Sequence, residues 1–285
     1  MDDSIPRIIT RLKGEFMKGN NGQSMILSEI VPLPHSMAAA TTTTTVVLPI
    51  GNEILESLHK FAEANPIYVS AHETEVMGIK CKVYEGDINS YWLSSKKHDT
   101  SYQPFYPTWL LSAFALAHVA KSLGFSELVD VGSGDGRIAY CGKLLGMESY
   151  GIEIDSNLAQ LQSSISSETG VMYNVIEADA TGFDYGRLKL VRPIFFISGL
   201  PEMGEMLANS VIKQAMSIKY LDLGFNLMGS HKMKSFSRDH TGWGWGSVIA
   251  NYGLDHLGTV TLPTSWTADQ SVDAAYVYTR VKRQP

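Results

Sequence analysis

The chain has 285 residues, a formal charge of −6, and 44% hydrophobic against 18% charged residues, enough apolar material for one large domain or two modest ones. An acidic balance argues against a general polyanion binder, which carries a basic excess, although a local basic patch stays open. Cys81 and Cys141 stand far apart with no C-x-x-C partner, which suggests neither a disulfide framework nor a zinc site; no segment reads as a membrane span, and the acidic start is unlike a secretion signal, so cytoplasm is the expected compartment.

Residues 7–12 and 24–31 read as two strands parted by the turn-like Lys18-Gly19-Asn20-Asn21-Gly22, a hairpin. The biased run from Ala38 to Thr45 leads into Val46-Val47-Leu48-Pro49-Ile50, which reads as a strand with a flexible approach. From Asn52 to Ala64, Ile54, Leu55, Leu58 and Phe61 fall at helical spacing, and Asn65-Pro66 closes the helix. Residues 66–76 and 79–84 read as two strands joined near Met77-Gly78. Residues 1–105 thus read as a smaller accessory α+β domain with its own core, which packs over the second domain or makes a homo-oligomer contact. His72, Glu73 and Glu75 have metal-ligand chemistry, but a solvated strand face is the better reading of their spacing. The polar, aromatic stretch 94–108 reads as the hinge.

The second domain, 106–285, opens with a helix over 109–123, in which His118 reads as a helix-surface or satisfied interior histidine rather than a base. Leu128 to Val131 is a short β-favouring run ending on Asp130 and Val131. Gly132, Ser133, Gly134, Asp135 and Gly136 then supply a tight turn, and apolar helical spacing resumes from Arg137. Glycines there reach positive φ without penalty and let backbone N–H groups approach a ligand. The dinucleotide fingerprint G-x-G-x-x-G would place the third glycine one position later than Gly136, which disfavours a nicotinamide site. A second strand, Ser149 to Asp155, carries Glu153 about 23 residues after Asp130, near the spacing at which a carboxylate meets a ribose diol. A third unit, Val175 to Ala180, ends on Asp179.

With these three units in order, the chain resembles the class I S-adenosylmethionine-dependent methyltransferases from about Pro107 to Arg283. DVGSGDG looks like their motif I, GIEID their second acidic loop and EADA their adenine-contacting loop. The resemblance implies S-adenosylmethionine as cofactor. It places the backbone around Gly132, Ser133, Gly134 and Asp135 at the methionine part, and Asp130 at its amino group. Glu153 would take the ribose hydroxyls, Ile154 would lie on adenine, Asp179 would accept from the adenine amine, and the Ala180 amide would address the ring. Glu153→Ala is then expected to leave the fold and weaken cofactor binding. GSGDGRI is also similar to the archaeal and mitochondrial protein lysine methyltransferases, whose aromatic-Pro-Thr segment matches Tyr106, Pro107 and Thr108. Tyr106 and Thr108 would then lie by the sulfonium end, where an aromatic face suits a cation, or simply pack against the sheet.

A fourth strand over 191–198 ends in Ser198-Gly199-Leu200-Pro201-Glu202. Base-amino methyltransferases carry Asn or Asp, Pro-Pro and an aromatic at this place, and this chain does not. Ser198 stands where ligands of open α/β sheets collect, and Glu202 either meets a substrate ammonium or favours the start of a helix over 202–216. A fifth strand is expected over 219–228. Beyond it, a loop with His231, Lys232, Lys234, Arg238, Trp243 and Trp245 is either a substrate lip or a solvated loop whose tryptophans pack on the sheet edge. Strands over 257–263 and 274–281 would complete a seven-stranded Rossmann-like methyltransferase sheet with helices on both faces, its last strand antiparallel. The function implied is methyl transfer to a macromolecule, a protein lysine first and RNA second, with a non-catalytic cofactor-binding or partner-supporting module as the alternative. No residue stands out as a catalytic base.

Overall fold

The computed structural model describes residues 4–19, 27–35, 49–86, 107–198, 201–230, 245–267 and 270–282. The chain begins with α1 (Ser4–Gly19), β1 (Leu27–Pro32), α2 (Asn52–Ala64), β2 (Tyr68–Val76) and β3 (Ile79–Gly86). It continues through α3 (Leu110–Ser122), β4 (Glu127–Val131), α4 (Arg137–Leu144), β5 (Glu148–Glu153), α5 (Ser156–Thr169), β6 (Asn174–Glu177), a short 3-10 turn (Tyr185–Leu188) and β7 (Pro193–Ile197). The last elements are α6 (Pro201–Met216), β8 (Gly224–Ser230), α7 (Trp245–Asn251), β9 (Leu254–Thr267) and β10 (Gln270–Val281).

β1, β3 and β2 form a small antiparallel sheet in that order. The main sheet has seven strands in the order β6-β5-β4-β7-β8-β10-β9, parallel from β6 through β8, with β10 antiparallel to both its neighbours. This is the doubly wound α/β sheet expected from the sequence. After β6 the chain crosses back over β4 to enter β7. The strand order therefore reverses between β4 and β7, the switch point at whose carboxyl ends open α/β sheets generally bind ligands.

The strands form because both faces of the sheet are covered, so β4 and β7 are near-continuous apolar runs. On one face, Leu128, Ile194, Phe196, Tyr276 and Tyr278 pack against α3 and α4, and Ile5, Ile9, Leu12 and Phe16 of α1 and Leu58 and Phe61 of α2 join the same core. On the other, Val129, Val131, Phe195, Ile197, Phe225 and Val277 meet Ala208, Val211 and Ile212 of α6 and Val248 and Ile249 of α7. The N-terminal elements thus share the core of the first face rather than holding a separate small one. Asp130, between Val129 and Val131, points toward the first face and is the buried acid of an otherwise apolar strand tip.

The expected first strand is instead α1. Its buried residues Ile5, Ile9, Leu12 and Phe16 recur at four- and three-residue intervals, the period of a helix face. That face packs on α3 and β9, and tertiary burial outweighs the strand preference of paired isoleucines. β1 consequently pairs with β3 and not with the first segment. The fifth strand starts at Gly224, because the amides of Leu221 and Asp222 turn to the Val191 carbonyl. α7 occupies the end of what reads as a loop. The threonine tract, most of the hinge and residues 231–244 lie outside the described residues.

Among the described residues no helix is long and apolar enough to cross a membrane. None of their His, Cys, Asp and Glu side chains gather into a metal-holding group of three or more. His72, Glu73 and Glu75 lie along the exposed strand β2, and both thiols are buried and free.

Candidate active site

The site is built at the carboxyl ends of β6, β5, β4 and β7. Three of the sequence-derived units become neighbours there: Asp179 and Ala180 just beyond β6, Glu153 and Ile154 at β5, and the glycine bend after β4, with Ser198 after β7. The bend needs its glycines for two different reasons. Gly132 has φ +67° and is exposed, and a Cβ built on it would meet nothing within 4 Å, so space lies open above it. Gly136 has φ +79°, and a Cβ there would fall 2.0 Å from the Tyr173 hydroxyl and 2.8 Å from Gln162 Cγ. The second glycine therefore permits the bend to seat against α5, the close-packing role that the dinucleotide fingerprint gives to its third glycine.

Glu153 is 6% exposed and turns toward the bend. Gly134 N–H donates to its Oε2 at 2.8 Å, and the amides of Ile154 and Asp155 donate to Oε1 at 2.9 and 3.0 Å. These three bonds fill all but one of the carboxylate's about four lone-pair positions. Glu153→Ala would therefore strip a buried partner from three backbone donors, so the expectation that the fold tolerates it is revised. Burial raises the Glu153 pKa above the usual carboxylate range, and the three amides hold it down in part. The neighbouring Asp155 serves as the N-cap of α5, accepting from Asn157 N at 2.8 Å.

Asp130 is 1% exposed, with its pKa pushed well up by burial, then by the charges of Glu153 and Asp135; the Ala139 amide opposes this by donating to it. Its Oδ1 is a buried acceptor that meets no donor among the described residues. On the same rung of the sheet, across Phe196, Asn226 Nδ2 is a buried donor without a described acceptor. Native structures rarely leave such atoms unmatched, so both are candidate contacts for a bound group. Asn226 gave no sign of this in the sequence, where it sits in an apolar strand.

Several expected contacts differ. The amides of Gly132 and Ser133 bond the Ile152 carbonyl at 2.9 and 3.1 Å, and that of Gly134 bonds Glu153, so these three point into the sheet and not toward a ligand. Ser133 is buried, and its hydroxyl accepts from Gln162 Nε2 at 2.8 Å; the same amide also reaches the Gly134 carbonyl at 2.9 Å. Asp135 turns away from the sheet edge and pairs with Arg137. Both side chains thus bond within the protein and hold the bend in shape. Asp179 accepts at Oδ1 from the amide and hydroxyl of Thr181, at 2.8 and 2.7 Å. Ala180 is buried and its carbonyl takes the Tyr185 hydroxyl.

Of the acceptor-side residues, Thr108 is buried, with its carbonyl held by Arg137 and its side chain facing the Tyr276 hydroxyl. Trp245 is 1% exposed and packs in the core of the α6 face, its indole N–H donating to the Met228 carbonyl at 2.6 Å. It is a core residue and not part of a substrate lip. Tyr106 and Trp243, and the side chain of Glu202, lie outside the described residues.

A buried cluster missed by the sequence reading joins this edge to the N-terminal elements: Glu29, Asn65 and Tyr68 with Asp135 and Arg137. A lone acid in the apolar run IleLeuSerGluIleVal (residues 26–31) was the available signal for Glu29.

No family model matches the chain, and no curated protein does. Among solved structures, it is similar to a Pyrococcus horikoshii protein provisionally described as an RNA methyltransferase, at 14% identity and TM-score 0.46, covering 66% of this chain and 92% of that one. It is similar to a SAM-dependent methyltransferase of Geobacter sulfurreducens bound to S-adenosyl-L-homocysteine, at 12% identity and TM-score 0.44, over 68% and 98%. A third similarity is to TrmN of Thermus thermophilus, at 13% identity and TM-score 0.45, over 70% and 57%.

Proposed function

We propose that the chain is an S-adenosylmethionine-dependent methyltransferase whose acceptor is a protein amino group. The observation that carries the cofactor reading is the unmatched Asp130 Oδ1, two residues before Gly132, over which space lies open. Asp130 and Glu153 both carry pKa values raised first by burial, and Asp130 also by the Glu153 and Asp135 charges, so a cationic ligand would favour their ionised forms. A ligand bearing an ammonium and a sulfonium, with a ribose and a flat base, supplies such positive charge, and these residues fit it. Asp130 would accept from the ammonium, Glu153 would use its remaining lone pair on a ribose hydroxyl, and Ile154 and Asp179 would border the base. When bound, such a group supplies an already activated methyl, so the chain's own part is alignment and exclusion of water.

For the acceptor, the formal charge of −6 and the acidic strand ends favour a cationic protein side chain over a polyanion. The wording GSGDGRI with Tyr106, Pro107 and Thr108 supports lysine. Tritiated S-adenosylmethionine incubated with cell lysate and this chain, followed by protease or ribonuclease, tests the reading. Label released by protease alone supports it, and label released by ribonuclease assigns RNA instead. No label in either polymer, with cofactor binding intact, would leave a non-catalytic module.

A further inference from the structure

Arg137, at the first position of α4, is 2% exposed, and its guanidinium uses every one of its five N–H groups. Nε donates to both oxygens of Asp135, at 2.9 and 3.1 Å, and Nη2 donates to Asp135 Oδ2 and to the Tyr68 hydroxyl at 3.2 Å. Nη1 donates to Glu29 Oε1 at 2.6 Å and to the Thr108 carbonyl. Glu29, wholly buried on β1, also accepts from the Tyr68 hydroxyl at 3.0 Å and, through Oε2, from the Leu110 amide at 2.7 Å. Asn65, closing α2, donates to Asp135 Oδ2 at 2.8 Å.

One buried ionic hub therefore ties three pieces together: the glycine bend through Asp135, the entry to α3 through Thr108 and Leu110, and the N-terminal sheet through Glu29 and Tyr68. Burying two carboxylates and a guanidinium costs several kcal/mol per ion before their mutual attraction is counted, and apolar residues of like volume often do as well for stability. What an apolar replacement lacks is direction. The planar fork fixes the angle between bend and helix, because each of its donors has one geometry.

Resting on the methyltransferase reading, we infer that Glu29, Arg137 and Asp135 are positioning residues that lock the cofactor bend to the acceptor-side entry of α3, which makes the N-terminal elements part of the active centre. Their side chains bond one another, and they act through the bend and through Thr108.

The test measures affinity for S-adenosylhomocysteine by calorimetry, well below each variant's melting temperature, in Arg137→Lys, which keeps the charge and loses the fork, and in Glu29→Gln. Ile212→Ala, in the core of the opposite face, serves as a control for stability loss alone. A hub role predicts that both hub variants bind at least about tenfold more weakly, as expected when a buried charged partner is lost, while the control stays within about twofold. Amide hydrogen exchange at Gly134 and Leu110 should rise in the hub variants and not in the control. Should Arg137→Lys fail to fold, Tyr68→Phe removes the two bonds of its hydroxyl to Glu29 and Arg137, and Asn65→Ala the one to Asp135; both should show the same pattern more weakly. Wild-type affinity and exchange in folded hub variants, or equal losses in Ile212→Ala, would overturn the inference. If the wild-type chain bound no S-adenosylhomocysteine, the functional reading and the cofactor half of this inference would fall, and the exchange rates would still decide whether the hub sets the bend.

Discussion

Replacing Gly132 and Gly136 by alanine, one at a time, separates the cradle of the site from its scaffold. Both glycines have positive φ, +67° and +79°, so an L side chain at either costs about 1–2 kcal/mol. At Gly132 the new methyl meets no atom within 4 Å, and backbone strain is the whole effect on stability. At Gly136 it would press on the Tyr173 hydroxyl at 2.0 Å and on Gln162 Cγ at 2.8 Å. Overpacking of this kind adds about 1–3 kcal/mol, for about 2–5 in total. Since about 1 kcal/mol shifts the melting temperature of a chain of this size by about 2–4 °C, Gly136→Ala should melt clearly below Gly132→Ala in a thermal scan. Calorimetry with S-adenosylhomocysteine then reads the other side: Gly132→Ala puts its methyl into the open space above the bend and should bind at least about tenfold more weakly. Equal melting temperatures, or wild-type affinity in Gly132→Ala, would refute the reasoning.

Asp130→Asn should raise the melting temperature at neutral pH while weakening cofactor binding. The folded-state pKa of Asp130 is raised by burial, so its contribution to stability is full below its unfolded value of about 3.9 and is lost as pH rises through the folded value. The variant removes that slope, and a stability–pH curve unchanged by it would count against the assignment. Affinity should follow the opposite trend: a cationic ligand lowers the pKa of Asp130 when bound, so wild-type binding should strengthen as pH rises toward that raised pKa and level off above it. Glu153→Gln should lower both stability and affinity, because an amide N–H must then face one of three backbone donors; a loss of affinity with unchanged urea midpoint would contradict this. Trp245→Ala should cost about 3–5 kcal/mol, as for a large core side chain, with cofactor affinity unchanged in the folded fraction.

The strands and the bend were legible because their determinants are local. A buried parallel strand is an apolar run, and the turn after β4 declares itself by its glycines and strand-tip acids. Glu153, Asp130 and Asp179 could be placed from the ends of such runs alone. What stayed hidden depends on distant partners. α1 has an isoleucine-rich start whose strand preference is overridden only by packing on β9. Ser133 and Asp135 belong to the bend by sequence, but Gln162 and Arg137 decide that their side chains face inward. Glu29 meets Arg137 across 108 positions of chain, a separation that no local pattern encodes. Trp245 sits among glycines like a loop tryptophan, yet it packs in the core of the α6 face and donates to a carbonyl of β8.

Titration calorimetry of S-adenosylmethionine into the purified wild-type chain tests the central claim most directly. Single-site binding that vanishes on Asp130→Ala, in a chain that still melts cooperatively, is the result predicted. No heat and no rise in melting temperature at saturating ligand would contradict it, since the unmatched carboxylate oxygen and the open space above Gly132 would then serve some other partner.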